Sequence, residues 1–113
     1  MLPKKQKIHL DNEFNEIFKT GRSLYGRFLG VRCQKNAREI NRFAIILGVK
    51  VEKSSVKRHF LKRNLFRLIK NNESHLLFFV DCIIVALPSI KNANQNELEM
   101  EIKKLFSKIS LVR

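Results

Sequence analysis

Acidic residues are scarce in this chain. Ten Asp and Glu stand against 23 Lys and Arg among 113 residues, a formal net charge of +13. Such a charge opposes compaction by self-repulsion, so a polyanionic partner that neutralises it is expected. Cysteine is also scarce, with Cys33 and Cys82 alone. Two thiols do not make a disulfide framework, although the sequence does not exclude their pairing. They read as small buried hydrophobes in a reducing compartment. With His9, His59 and His75 they form no metal-ligand spacing, which leaves no zinc site. A glycine-rich phosphate loop is missing, as is any nucleophile–base pair, so unaided catalysis is not expected. No long hydrophobic run exists either. The longest, near residues 76–87, is interrupted by Asp81 and is too short to span a bilayer. Lys4, Lys5 and Lys7 are not followed by an apolar segment, so no signal peptide is expected.

What is present suits one domain over residues 1–113. The composition is 44% hydrophobic, which argues against wholesale disorder. A basic, Pro-containing lead-in covers residues 1–9. Asp11 or Asn12 can cap a first helix, with Glu13 and Glu16 at its positive end, and Gly21 closes it. Phe14, Ile17 and Phe18 line one side of that helix. Residues 23–34 read as a strand in which Leu29, Val31 and Cys33 alternate with Phe28, Gly30 and Arg32. A polar turn at Asn36 to Asn41 leads to a second strand over 42–49, with Phe43, Ile45 and Leu47 on one face. Ser54 and Ser55 are candidate caps for a helix running to about Lys70, ended by Asn71, Asn72 and Ser74. Residues 78–87 form an apolar third strand stopped by Pro88. Leu98, Ile102, Leu105, Phe106 and Ile109 mark a last amphipathic helix, acidic at its start (Glu97, Glu99, Glu101) and basic towards its end (Lys103, Lys104, Lys108).

The predicted order is α-β-β-α-β-α, an α/β (α+β) two-layer sandwich in which a small sheet carries helices. The second and third strands, joined through a helix, could lie parallel.

Function is most legible in residues 50–70, KVEKSSVKRHFLKRNLFRLIK. Eight cations (Lys50, Lys53, Lys57, Arg58, Lys62, Arg63, Arg67, Lys70) face one acid, Glu52. Leu61, Leu65, Leu68 and Ile69 recur at helical spacing, so one face can be buried. His59, Arg63, Arg67 and Lys70 share the opposite face, with Arg58 and Lys62 on its flank. An ordinary solvated face is the plain alternative. However, few acids are interleaved to make i,i+4 pairs, and long donors can reach phosphate oxygens. The candidate RNA-binding set is therefore Lys50, Lys53, Lys57, Arg58, His59, Lys62, Arg63 and Arg67. Phe14 and Phe18 lie one turn apart and read either as core or as a stacking surface for unpaired bases. Phe28 and Arg32 are expected to share a strand face. Asp81 is a lone carboxylate in an apolar strand, expected to bond a nearby backbone or hydroxyl group.

At these residues the chain resembles the protein subunit of bacterial ribonuclease P, over nearly its whole length. Phe14-x-x-x-Phe18 followed by Gly21 and Arg22 is similar to the family's first helix. Arg27-Phe28-Leu29 resembles its first strand. Val56-Lys57-Arg58-His59-Phe60-Leu61-Lys62-Arg63 resembles its Arg-Asn-Arg-x-Lys-Arg signature, preceded by Lys50, Val51 and Lys53. Asp81 through Pro88 resembles its Asp-x-Val-x-x-Ala-x-Pro strand. His59 and Phe60 depart from the signature, Glu52 stands where Gly is frequent, Arg32 where an aromatic is frequent, and Leu87 where Arg is frequent.

The resemblance implies a left-handed βαβ crossover, an exception to the usual handedness. It implies a catalytic RNA subunit that mainly holds the Mg²⁺ ions, and a protein that carries no catalytic residue or metal. The partners implied are ribonuclease P RNA and precursor tRNA, in the cytoplasm, with no membrane and no obligate protein partner. Phe14, Phe18, Phe28 and Arg32 map to a cleft for the 5′ leader of precursor tRNA. A ribosomal or other non-catalytic RNA-binding protein is the alternative on charge and architecture alone. A DNA-binding regulator fits less well, because strands rather than a helix-turn-helix partner surround the basic helix.

Overall fold

The computed structural model describes Gln6, Ile8, residues 15–17, residue 19 and residues 21–111. Residues 15–17 and 19 are helical, and the Gly21 N–H donates to the Ile17 carbonyl at 2.8 Å, closing that turn. Gly21 has no positive φ. It is glycine because a Cβ there would collide with the Ile17 carbonyl oxygen and crowd the Cys33 one.

Four strands and two long helices follow: β1 Arg22–Tyr25, β2 Leu29–Lys35, β3 Arg42–Ile46, α1 Ser55–Asn72, β4 Val80–Ala86 and α2 Gln95–Leu111. The strand expected over 23–34 is therefore two. It folds back at Gly26 to Phe28 into an antiparallel hairpin with Tyr25 opposite Gly30 and Arg22 opposite Cys33. The turn is held from a distance. Glu101 of α2 accepts the backbone N–H groups of Arg27 (2.6 Å) and Phe28 (2.8 Å), and a Cβ on Gly26 would strike the same carboxylate.

The sheet order is β1-β2-β4-β3, with β4 antiparallel to β2 and parallel to β3. A parallel pair needs a crossover, and α1 is that crossover. Ser54 caps it by accepting the Lys57 N–H, and a short 3₁₀ turn, Glu73–His75, follows its end. Asn94 caps α2 reciprocally: its Oδ1 accepts the Glu97 N–H at 2.8 Å and Glu97 Oε1 accepts the Asn94 N–H at 3.0 Å.

The alternation of each strand sorts residues between two faces. Val31, Cys33, Phe43, Ile45, Cys82 and Ile84 meet Leu65, Leu68 and Ile69 of α1 and Leu98, Ile102, Leu105 and Phe106 of α2 in the main core. The rings of Phe43 and Phe106 stack there with centroids 6.0 Å apart. The other face carries Ile83, covered by Ile8 and Ile17, with Ala44, Ile46 and Val85 around them.

Two expectations are corrected. Cys33 and Cys82 are not separate buried thiols but a disulfide. Register explains it, since they are direct cross-strand partners on β2 and β4 with Cα atoms 4.3 Å apart. Asp81 does not bond a hydroxyl. It forms a buried two-pronged pair with Arg42 on the adjacent parallel strand, Nε to Oδ1 at 2.9 Å and Nη2 to Oδ2 at 2.7 Å, and also accepts from Asn36 Nδ2 at 2.9 Å.

The disulfide spans a sequence separation of 49 residues. In the chain-entropy picture, closing such a loop is worth about 4 kcal/mol, and measured bridges deliver about 2–4. Thermal melts with and without reductant should therefore differ by roughly 8–16 °C at about 4 °C per kcal/mol, with β-rich structure retained below the lower midpoint because the core around both sulfurs is apolar. Asp81→Ala strands the Arg42 guanidinium in a buried site. It should cost about 3–5 kcal/mol in denaturant unfolding.

Candidate nucleic-acid interface

The cations of 50–70 are sorted by the helix itself. Leu65, Leu68, Ile69 and Asn72 of α1 are buried. His59, Arg63 and Arg67 on the far side and Lys57 on its flank are exposed, and Lys50 and Lys53 are exposed in the segment leading into the helix. Five of these six are permanent cations, and no acid interrupts them within α1. Arg67 Nη2 donates to Asn64 Oδ1 at 2.7 Å, which steadies one of them.

Arg58 and Lys62 behave differently. Both are half-buried. Arg58 Nη1 donates to the carbonyls of Glu52 (2.8 Å) and Lys53 (2.9 Å), so it ties the helix's first turn to the preceding segment. Part of its donor capacity is spent inside the protein. Lys70, at the end of the same face, binds Gln6 Oε1 (2.8 Å) and Glu73 Oε2 (3.1 Å). Bonds of this kind depend on where the chain returns, and no spacing rule signals them.

The second surface is the sheet face opposite α1 and α2, which Ile8 and Ile17 cover in part. Arg32 stands on it, half-buried, beside its cross-strand partner Ile83. Phe28 does not share that face. It lies in the β1–β2 turn, 3% exposed, inside the main core, with the Arg27 guanidinium 5.1 Å from its ring centroid. The aromatic that does share the face is Tyr25, which the sequence reading missed. Tyr25 is 70% exposed and its ring lies over Gly30, where a Cβ would sit 3.0 Å from two ring carbons. A strand alternation counted through a hairpin loses register, and only the turn at Gly26 could have signalled this. Phe14 and Phe18 lie outside the described residues.

At one end of this face a hollow of about 400 Å³ opens between Glu16 and Ile17 and the segment 34–38, with the Arg42–Asp81 pair in its floor. Its rim carries the cations Lys35 and Arg38 together with the exposed acid Glu16. Lys35 also lies over the Phe78 ring, 5.5 Å from its centroid. Asp81, the acid in the floor, is committed to Arg42 and Asn36. No group of three or more His, Cys, Asp or Glu that could hold a metal occurs among the described residues.

The ribonuclease P family profile matches residues 2–110. The chain belongs to the ribonuclease P protein family. A ribonuclease P protein component of Clostridium acetobutylicum is 32% identical, over 96% of this chain and 92% of that one. One from Syntrophomonas wolfei is 28% identical, over 98% and 92%. Among solved structures, a Staphylococcus aureus RNase P protein superposes with a TM-score of 0.82 at 21% identity, covering 96% of this chain and 98% of that one. The RNase P protein of Thermotoga maritima gives 0.80 at 20%, covering 90% and 96%. Those two likenesses establish the α+β fold.

Membership assigns the role. The chain is a protein component of ribonuclease P, the endoribonuclease that matures tRNA 5′ ends, and its partner is RNA. That decides against a ribosomal protein or other non-catalytic RNA-binding protein. No described helix is long and apolar enough to cross a membrane.

The geometry separates two kinds of cation. If about five phosphates meet the exposed set, affinity for structured RNA should fall roughly 500-fold between about 50 and 200 mM salt. Changing Lys57, Arg63 and Arg67 together to Ala should lower the salt slope by about three while leaving the melting temperature unchanged. Arg58→Ala should lower the melting temperature as well as affinity. Filter binding across a salt series, with melts of each variant, checks both.

Proposed function

We propose that the protein docks on ribonuclease P RNA through the outer face of α1 and offers the open sheet face to the single-stranded 5′ leader of precursor tRNA. The observation that carries this reading is the separation of two surfaces by the sheet. One is a rigid helix face of unneutralised cations, suited to closely spaced phosphates. The other combines an exposed ring, Tyr25, with Arg32 and a cationic hollow, the chemistry that suits unpaired bases and their backbone. Residues 1–113 act as one RNA-binding domain, cytoplasmic and without an obligate protein partner.

In this reading the protein supplies binding energy outside the scissile bond. The reaction is hydrolysis of one phosphodiester, and its Mg²⁺ ions are held mainly by the RNA. Placing Lys and Arg between two polyanions lowers the repulsion that free Mg²⁺ would otherwise have to screen. Phe14 and Phe18 belong to the leader cleft by resemblance. Phe28 acts indirectly, by anchoring the turn that carries Tyr25.

Reconstitution with the cognate RNA at low Mg²⁺ should raise 5′ processing of precursor tRNA. An RNA whose rate is indifferent to the protein at every salt and Mg²⁺ level would exclude this role. A stacked base is worth about 1–3 kcal/mol, so Tyr25→Ala and Phe18→Ala should each weaken precursor tRNA binding by roughly five- to a hundredfold. Mature tRNA, which has no leader, should bind almost unchanged. Equal losses with both RNAs, together with a lower melting temperature, would place the residue in the core instead.

A further inference from the structure

Phe60 stands on α1 among the cations, with 63% of its surface exposed. A buried helix aromatic needs no explanation, but an exposed one within a charged face does. Two hollows border this ring. One, of about 560 Å³, lies between α1 and the 3₁₀ turn Pro88–Asn92 and is lined by Lys57, Phe60, Leu61, Asn64 and Lys91 together with Glu52. The other, of about 420 Å³, is lined by Phe60, Arg63, Asn64 and Arg67. Both volumes fall in the roughly 300–1,000 Å³ range of sites that enclose small ligands.

The two hollows share part of their walls, and the first adds Leu61 and the Glu52 carboxylate. Each has the Phe60 ring as an apolar wall and two cations at the rim. Each shares Asn64, an amide that can read a hydrogen-bonding edge. Asn64 is pinned from outside by a reciprocal pair with Gln95 at the start of α2, Nδ2 to Oε1 at 2.8 Å and Nε2 to Oδ1 at 2.9 Å. Lys91 is held over the first hollow by the Glu52 carboxylate at 3.4 Å, with more than half its side chain exposed. An aromatic plane bordered by two pairs of cations fits a ligand that alternates flat apolar rings with negative charges, which describes a single-stranded nucleic acid.

We propose that Phe60 is a wedge between two successive unpaired nucleotides of the RNA. One base lies in each hollow against a face of the ring, with phosphates on Lys57 and Lys91 at one side and on Arg63 and Arg67 at the other. The site is separate from the leader cleft, because the main core and the sheet lie between them. It deepens the docking of α1 on RNA and rests on that reading: it makes the helix face selective for a bulge or loop over a continuous duplex. Such selectivity cannot come from the cations alone, which meet duplex and single-strand phosphates alike.

The test uses the full chain and a short single-stranded RNA carrying 2-aminopurine at two adjacent positions, with the fully paired duplex of the same sequence as control. All measurements are made in a Tyr25→Ala background, which removes stacking on the sheet face. Stacking on Phe60 quenches the probe. Phe60→Ala should abolish the quenching and weaken single-strand binding by roughly five- to a hundredfold. Duplex affinity and salt slope should remain within about twofold, since no phosphate contact is removed. Phe60→Trp should restore quenching, and its retained melting temperature would confirm that the exposed site tolerates the change. Lys91→Ala should weaken single-strand binding without a loss of quenching amplitude at saturation. Unchanged quenching and affinity in Phe60→Ala overturn the proposal. If the Lys57, Arg63 and Arg67 triple variant still weakens both RNAs, docking by α1 survives that failure; if it too binds like the parent, docking fails with it. A Phe60→Ala effect on self-association by sedimentation, with RNA binding intact, assigns the ring to a contact between copies of the chain and also overturns the proposal.

Discussion

Parallel pairing of β3 with β4 is the constraint from which most of the molecule follows. Antiparallel neighbours can be joined by a tight turn, as β1 and β2 are. Parallel neighbours require the chain to travel back along the sheet, and here α1 makes that journey. A helix in that position must bury one stripe on the sheet and leave the other in water. Leu65, Leu68 and Ile69 supply the stripe. The water-facing side is then available for the dense positive charge. The pair is locked where it begins: Arg42 opens β3 and Asp81 lies across from it on β4, buried and joined by two hydrogen bonds. One residue along β4, Cys82 links to Cys33 on the other neighbour, so the central strand is tied to both sides within two positions.

The scarcity of acids acquires a structural meaning in the fold. Asp81 neutralises Arg42, and Glu52 holds Lys91. Glu73 collects Gln6, Asn41 and Lys70, while Glu97 caps α2 and Glu101 grips the β1–β2 turn. Half of the ten acids are thus occupied at fixed points of the architecture. None of the others lies within α1, so its outer face has no acid to form i,i+4 partners with its cations. The excess charge is therefore concentrated rather than spread, and a concentrated field both steers a polyanion and depends steeply on salt.

The sheet also keeps the two surfaces of this small protein apart. The side under α1 and α2 is filled by the main core, so the exposed cations of α1 sit a full layer away from the other face. In the proposed reading, leader contacts on the sheet face and docking contacts on α1 need not compete. Phe60 lies on the layer of α1 and Tyr25 on the opposite sheet face, so the two exposed rings are separated by the core.

Periodicity and charge along the chain determined a great deal. The amphipathic stripes of both long helices, the apolar β4, the caps at Ser54 and the acidic start of α2, and the basic face with its polyanionic partner are local properties, readable because burial and helix geometry impose the 3.6-residue repeat. Only the tertiary structure decided the rest. The break at Gly26 depends on Glu101, 75 positions away in the chain, and once the break is there Phe28 turns into the core and Tyr25 onto the open face. The disulfide depends on β2 and β4 aligning Cys33 with Cys82, and the Arg42–Asp81 pair on β3 lying parallel to β4. Whether Arg58 reaches RNA or its own backbone depends on the path of residues 52 and 53. These outcomes pair residues far apart in sequence, and composition and spacing carry no information about which distant group arrives beside which.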